Sequence, residues 1–226
     1  SDGSKTQNTR VSYPINHIEN SVSNKGRASV AGHPQKIIFL TCDAYGVLPP
    51  IAKLNPNQAM YHFISGYTAK IAGTELGVNE PVATFSPCFG GPFLTLHPLK
   101  YAELLKNKIE QFCSSIYMVN TGWVGSNANS GSKRFSLPKT RLIINAILNG
   151  DIESSDFTKD DYFGFKIPKK IEGIESRLLN PVTAWKDFDS YKIAANQLVL
   201  KFQENYKKYD LGDRLVALGG PRTLKD

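Results

Sequence analysis

Thiols and imidazoles are sparse in this chain of 226 residues: three cysteines, Cys42, Cys88 and Cys113, and four histidines, His17, His33, His62 and His97. No Cys-x-x-Cys or His-x-x-x-His spacing links them. That pattern argues against a disulfide framework and against a zinc site. Cys42 and Cys113 sit in or beside apolar stretches and are expected as buried, reduced thiols. No Asn-x-Ser/Thr sequon, signal peptide or internal repeat is present. No apolar run approaches the roughly 20 residues of a membrane span, and Thr223-Leu-Lys-Asp226 matches neither a peroxisomal nor an endoplasmic-reticulum address. A Gly-x-Ser-x-Gly nucleophile elbow is also missing. These absences together lead to the expectation of a reduced, cytoplasmic compartment with no membrane partner.

The excess charge is positive: 27 Lys and Arg against 20 Asp and Glu, a net charge of +7. Nucleic acid, anionic lipid and anionic small molecules all fit such a balance. The like-charge blocks are short, as at Lys169-Lys170 and Lys207-Lys208, without interleaved aromatics. Solvated lysines and a few specific cations meeting phosphate or carboxylate therefore fit better than a nucleic-acid surface.

The hydrophobic pattern alternates between strands and helices. Lys36 to Thr41 reads as a buried strand, followed by a turn at Gly46 to Pro50. Asn55 and Pro56 are suited to cap and open a helix. Its apolar face carries Met60, Phe63, Ile64, Tyr67 and Ile71, and Gly73 is expected to stop it. Thr74 to Phe93 reads as a long, functional connection. His97-Pro98 opens a helix to about Phe112, Ser115 to Asn120 is a second strand, and Pro138 to Leu148 is a helix ended by Gly150. Asp151 to Lys186 reads as irregular, with one strand at Phe163 to Ile167. Asp187 to Tyr209 is a long amphipathic helix striped by Tyr191, Ala194, Ala195, Leu198, Phe202 and Tyr206. The alternation predicts an α/β fold, a mixed sheet with flanking helices.

Gly125 to Lys133 (GSNANSGSK) has the composition of a phosphate-binding loop but not its spacing. Five residues separate the glycines and Ser132 splits Gly131 from Lys133, whereas the loop needs four residues and then Gly-Lys. It is rejected as a phosphate cradle. His62, within a helical pattern, is expected to be structural, and Asp43, at a strand end, to hold a structural hydrogen-bonding role.

Several colinear stretches add a further reading. They are Asn8-Thr-Arg10, Leu40 to Pro50 (LTCDAYGVLPP), Met60 to Thr68 (MYHFISGYT), Ala72 to Glu75, Thr84 to Gly90 (TFSPCFG), Asn120-Thr-Gly-Trp123, Lys133-Arg134 and Thr140-Arg141. In this order the chain resembles the C-terminal part of the ATP-dependent phosphoenolpyruvate carboxykinases, from about Asn8 to Tyr209. The resemblance implies that residues 1–226 form the C-terminal part of a mononucleotide-binding catalytic domain, joined to the rest of the same polypeptide. The implied reaction converts oxaloacetate and ATP to phosphoenolpyruvate, ADP and carbon dioxide, a step of gluconeogenesis, with Mg2+ and Mn2+ in the full enzyme. It further implies that Arg10 grips the transferred phosphoryl group and the carboxylate substrate. Arg134, Phe135 and Thr140 would hold the nucleotide, and Gly77 to Gly91 would form a lid. The family's phosphate-binding loop, paired aspartates and metal-binding Lys and His have no counterpart here, and the polar start Ser1 to Arg10 reads as a cut inside a longer protein. Alone, the segment is expected to be inactive. The alternative is a non-catalytic binding or structural protein derived from the domain; oligomeric state is left open, homo-oligomer included.

Overall fold

A computed structural model describes residues 12–19, 21, 31–70, 81–130, 133–209 and 213–224. Five strands form one mixed sheet in the order β1-β5-β2-β7-β6: β1 Lys36–Thr41, β2 Ile51–Leu54, β5 Ser115–Asn120, β6 Phe157–Lys159 and β7 Lys166–Pro168. β1 and β5 run parallel, with Lys36 opposite Ser115 and Thr41 opposite Asn120. β2 joins β5 antiparallel, and the β6–β7 hairpin extends the sheet beyond it. A separate antiparallel pair, β3 (Tyr67–Lys70) and β4 (Val82–Phe85), completes the strands. The helices are α1 Pro56–Ser65, α2 Pro98–Phe112, α3 Leu137–Asn149, α4 Ser176–Leu179, α5 Pro181–Ala184, α6 Phe188–Lys207 and α7 Asp213–Gly219. The expected α/β mixed sheet with flanking helices is the observed architecture.

Side-chain alternation along the strands divides the core into two layers. Phe39, Ala52, Leu54, Ile116 and Met118 pack with α1, α2 and α6 on one face. Ile51, Tyr117 and Val119 pack with Ile143, Ala146 and Ile147 of α3 on the other. The α6 stripe is buried as its periodicity requires: Tyr191, Ala194, Ala195, Leu198, Phe202 and Tyr206. Phe202 meets the rings of Tyr67, Phe85, His62 and Phe163 at 5.0 to 5.5 Å. Burying one such large side chain stabilises by roughly 1.5–3 kcal/mol.

Local chemistry sets the helix ends. The Asn55 side chain accepts from the Asn57 and Gln58 amides at 2.9 Å, and Gln58 Oε1 accepts from the Asn55 amide at 2.9 Å. This closed capping box, with Pro56 next, starts α1. The helix was expected to reach Gly73 but ends at Ser65, because Gly66 turns into the left-handed region at φ 51°. A Cβ there would lie 1.6 Å from the Ser86 carbonyl oxygen. Four further elements differ from the sequence-based expectation. β2 forms directly after Pro49-Pro50, where the sequence predicts only a turn. The strand near residue 165 is Lys166–Pro168 rather than Phe163 to Ile167, and β6 precedes it. Cys113 is exposed, because it caps α2 in a left-handed conformation at φ 52°, past the helix's buried face. Cys42 is buried as expected. Thr74 to Phe93 also contains β4 and two short 3-10 turns, Pro87–Phe89 and Gly91–Phe93, rather than loop alone.

Candidate functional site

Parallel strands β1 and β5 deliver their carboxyl ends side by side at Thr41 and Asn120, the part of an α/β sheet where ligands characteristically bind. The segments that leave these strands are stapled together. The fully buried Asp43 carboxylate accepts from the amides of Tyr45, Val47 and Leu48 at 2.7–2.8 Å and from the Tyr67 hydroxyl at 2.7 Å. Burial raises its pKa against the pull of these donors. Asn120, equally buried, accepts from the Asp43 and Gly122 amides through Oδ1. Through Nδ2 it donates to the carbonyls of Leu48 and Trp123. Asp43 thus has the structural hydrogen-bonding role expected of it. Gly122 crosses Asp43 so closely that a Cβ would stand 2.3 Å from the Asp43 carbonyl oxygen.

Arg134 lies on this platform. Its Nε donates to the Thr121 carbonyl at 3.1 Å and its Nη2 to Thr121 Oγ1 at 3.4 Å. Its guanidinium carbon sits 5.7 Å from the Trp123 ring centroid, a cation–π arrangement. Two of the five guanidinium donors are therefore committed to Thr121, and the plane is fixed by an aromatic ring. The same charge is felt at Cys42: burial pushes that thiol up, and Arg134 pulls it partly back. Phe135 follows, tied by its amide to the Gly122 carbonyl at 2.7 Å, with its half-buried ring against the α3 core. Thr140 stands in the first turn of α3, its amide and hydroxyl both bonded to the Ser136 carbonyl at 2.9 and 3.2 Å. Its hydroxyl oxygen keeps acceptor capacity for a ligand.

Arg134 and Phe135 are thus brought to the strand ends, and Thr140 is carried by the helix that starts immediately after them. Arg10 and Gly77 lie outside the described residues. Sequence reasoning gave no role to Trp123 or Thr121, although Asn120 to Trp123 was among the resembling stretches; a tryptophan directly after a glycine at a strand end is the signal that marks the platform. His62 is buried, as a structural residue would be. Burial among Phe163, Phe165 and Phe202 lowers its pKa to about 3, so it stays neutral. Two roomy clefts, of about 910 and 490 Å³, are lined by other residues. The stapled strand ends and the fixed guanidinium, rather than cavity size, single out the Arg134 region.

The chain is similar to a set of curated proteins. It is 52% identical over 223 residues to the ATP-type phosphoenolpyruvate carboxykinase of Thermus thermophilus, covering 98% of this chain and 41% of that protein. It is 53% identical over 209 residues to that of Campylobacter jejuni subsp. doylei, covering 92% of this chain and 39% of that protein. With the Leptospira biflexa enzyme the identity is 53% over 214 residues, covering 95% and 39% respectively. The chain therefore spans about two fifths of the length of the curated relatives it matches. The family model for phosphoenolpyruvate carboxykinase matches residues 1–177. With that match over most of its length, and with half its residues identical to those of such relatives, the chain belongs to the ATP-type phosphoenolpyruvate carboxykinase family.

Proposed function

We propose that residues 1–226 form the C-terminal part of the nucleotide-binding catalytic domain of an enzyme that converts oxaloacetate and ATP to phosphoenolpyruvate, ADP and carbon dioxide. Arg134, Phe135 and Thr140 hold the adenosine part of the nucleotide. Arg10 contacts the transferred phosphoryl group and the carboxylate substrate. The single observation that carries the reading is the Arg134 guanidinium, held by Thr121 and Trp123 at the carboxyl ends of β1 and β5. A planar cation anchored in this way presents its remaining donors to a nucleotide without first losing side-chain freedom.

The reaction builds negative charge on oxygen twice, once on decarboxylation and once on phosphoryl transfer. Preorganised cations are the effective means of stabilising such charge. Among the described residues no group of three or more His, Cys, Asp or Glu is placed to hold a metal ion. In this reading the ligands of Mg2+ and Mn2+ belong to the rest of the polypeptide, and no step is assigned to a metal through residues 1–226. Residues 77–91 serve as the lid in this reading. Support comes from Phe89, 41% exposed, and from Gly90, whose nearest neighbours stand at 3.9 Å or more from an added Cβ. Closure would shield the enolate from protonation.

The test is Arg134→Ala in the full-length protein. The expected result is roughly tenfold weaker ATP binding, the usual scale for losing a charge-assisted contact, with the oxaloacetate KM little changed. An unchanged nucleotide constant overturns the assignment. The 226 residues alone are expected to show no carboxykinase activity, and measurable turnover would refute that expectation.

A further inference from the structure

The three outer strands of the main sheet carry a row of lysines. Lys53 of β2 is the register partner of Lys166 of β7, and Lys166 is in turn the register partner of Lys159 of β6. Register partners on neighbouring strands are close neighbours at the side-chain level, and like charges placed directly opposite are destabilising. Among the described residues no ion pair within 4 Å engages any of the three, nor Arg222; Glu153, whose carboxylate accepts from the Tyr117 hydroxyl, interacts with Lys53 only at longer range. All four cations line one cleft of about 490 Å³, together with Gln58, Phe157, Phe163 and the Gly219-Gly220 turn. Among the described residues no Asp or Glu lines it. The nearby buried Asp160 turns its carboxylate to the Phe163 amide instead.

The opposite wall is fixed. The Arg222 amide donates to the Tyr162 carbonyl at 2.8 Å, and its Nε to the Asp161 carbonyl at 3.1 Å. Gln58 is anchored by Nε2 to the Phe163 and Gly164 carbonyls. A volume near 490 Å³ falls within the range of small-molecule sites. Aromatic rings beside cations are suited to a molecule that carries both an anionic group and a flat or apolar body.

We propose that this cleft is a binding site for a small phosphorylated molecule, separate from the nucleotide site at Arg134, with the Lys53–Lys166–Lys159 row and Arg222 as its phosphate-binding cations. A bound phosphate turns three mutually repelling lysines into a neutralised cluster. It also ties β2, the β6–β7 hairpin and the chain near residue 222 into one unit.

The probe is inorganic pyrophosphate, titrated calorimetrically into the full-length protein at saturating ATP and at low and high salt. One equivalent is expected to bind, more weakly at high salt. Lys166→Glu, which sets an acid between Lys53 and Lys159, is expected to weaken that binding at least tenfold. It should also raise the melting temperature of the unliganded protein. Lys159→Gln and Arg222→Gln are the milder variants that decide the matter if Lys166→Glu does not fold, and each is expected to weaken binding severalfold. Lys207→Glu, on an exposed face of α6, and Arg134→Ala should leave the isotherm unchanged, which separates failure of this site from failure of the nucleotide assignment. No pyrophosphate bound at saturating ATP, or full binding in the Lys166, Lys159 and Arg222 variants, overturns the proposal.

Discussion

Lowering the pH from 7 to 5 sets two buried groups of one core layer against each other. His62 lies among Phe163, Phe165 and Phe202, and burial brings its pKa from 6.5 to about 3. Asp160 bonds the Phe163 amide, and burial pushes its pKa from 3.8 up to about 6. Between pH 6.5 and 3 the unfolded chain protonates at His62 while the folded one does not, so stability falls with acid. At pH 5 that loss is about 2 kcal/mol. Between pH 6 and 4 the folded chain protonates at Asp160 while the unfolded one does not, so stability rises with acid, by about 1 kcal/mol at pH 5. The two effects largely cancel, and the unsubstituted protein should lose only about 1 kcal/mol from this pair. Single replacements expose each effect. His62→Phe keeps a ring in the aromatic cage and removes no partner from Nε2, which has none among the described residues. It should leave Asp160 unopposed, so that the pair's contribution favours folding by about 1 kcal/mol at pH 5 relative to pH 7. Asp160→Asn keeps an acceptor for the Phe163 amide and should lose about 2 kcal/mol over the same interval. Urea midpoints at pH 7 and pH 5 read the effect, and comparing the two variants removes the background from other titrating groups. Identical pH slopes in the two variants would refute the reasoning.

Three further outcomes are expected. Asp43→Asn turns an amide NH2 toward backbone donors that now meet a carboxylate oxygen, and should cost about 2–4 kcal/mol in denaturant stability; a loss below about 1 kcal/mol would show that the staple is slack. Gly122→Ala forces a methyl group onto the Asp43 backbone at 2.3 Å and should reduce both thermal stability and ATP affinity, since Thr121 and Trp123 must move; normal affinity would separate the staple from the site. Asn55→Ala opens the capping box of α1 and should cost about 1 kcal/mol, seen as a lower melting temperature with unchanged nucleotide binding.

The elements that were legible in the sequence are those whose ends carry their own chemistry. Asn55-Pro56, His97-Pro98 and Gly150 mark helix ends because a cap, a proline or a left-handed residue acts within one turn. β3 was not legible. Tyr67 and Ile71 continue the three- and four-residue spacing of α1, so periodicity alone extends the helix. The chain breaks instead at Gly66, where Tyr67 sends its hydroxyl to Asp43, 24 residues earlier. β2 was hidden by its four-residue length and by the prolines before it, and the short β6–β7 hairpin depends on pairing with it. At the candidate site, resemblance pointed to Arg134, Phe135 and Thr140, while the ring beneath Arg134 became visible only in space. The lysine row could not be read at all, because Lys53 and Lys166 are 113 positions apart and meet only through strand register.

The crossing of Gly122 over Asp43 also bears on how this region can change. Residues 42–50 pass above the end of β5 to reach β2, and 120–123 are pinned beneath them by hydrogen bonds with no slack. An insertion or deletion in either segment would pull Asn120 off its four partners at once. The staple reaches further along the chain as well: the Ala128 amide donates to the Ala44 carbonyl at 2.8 Å, and Gly46 approaches Ser126 so closely that a Cβ would stand 2.0 Å from its carbonyl oxygen, so a change of length at 42–50 would also displace this neighbouring segment.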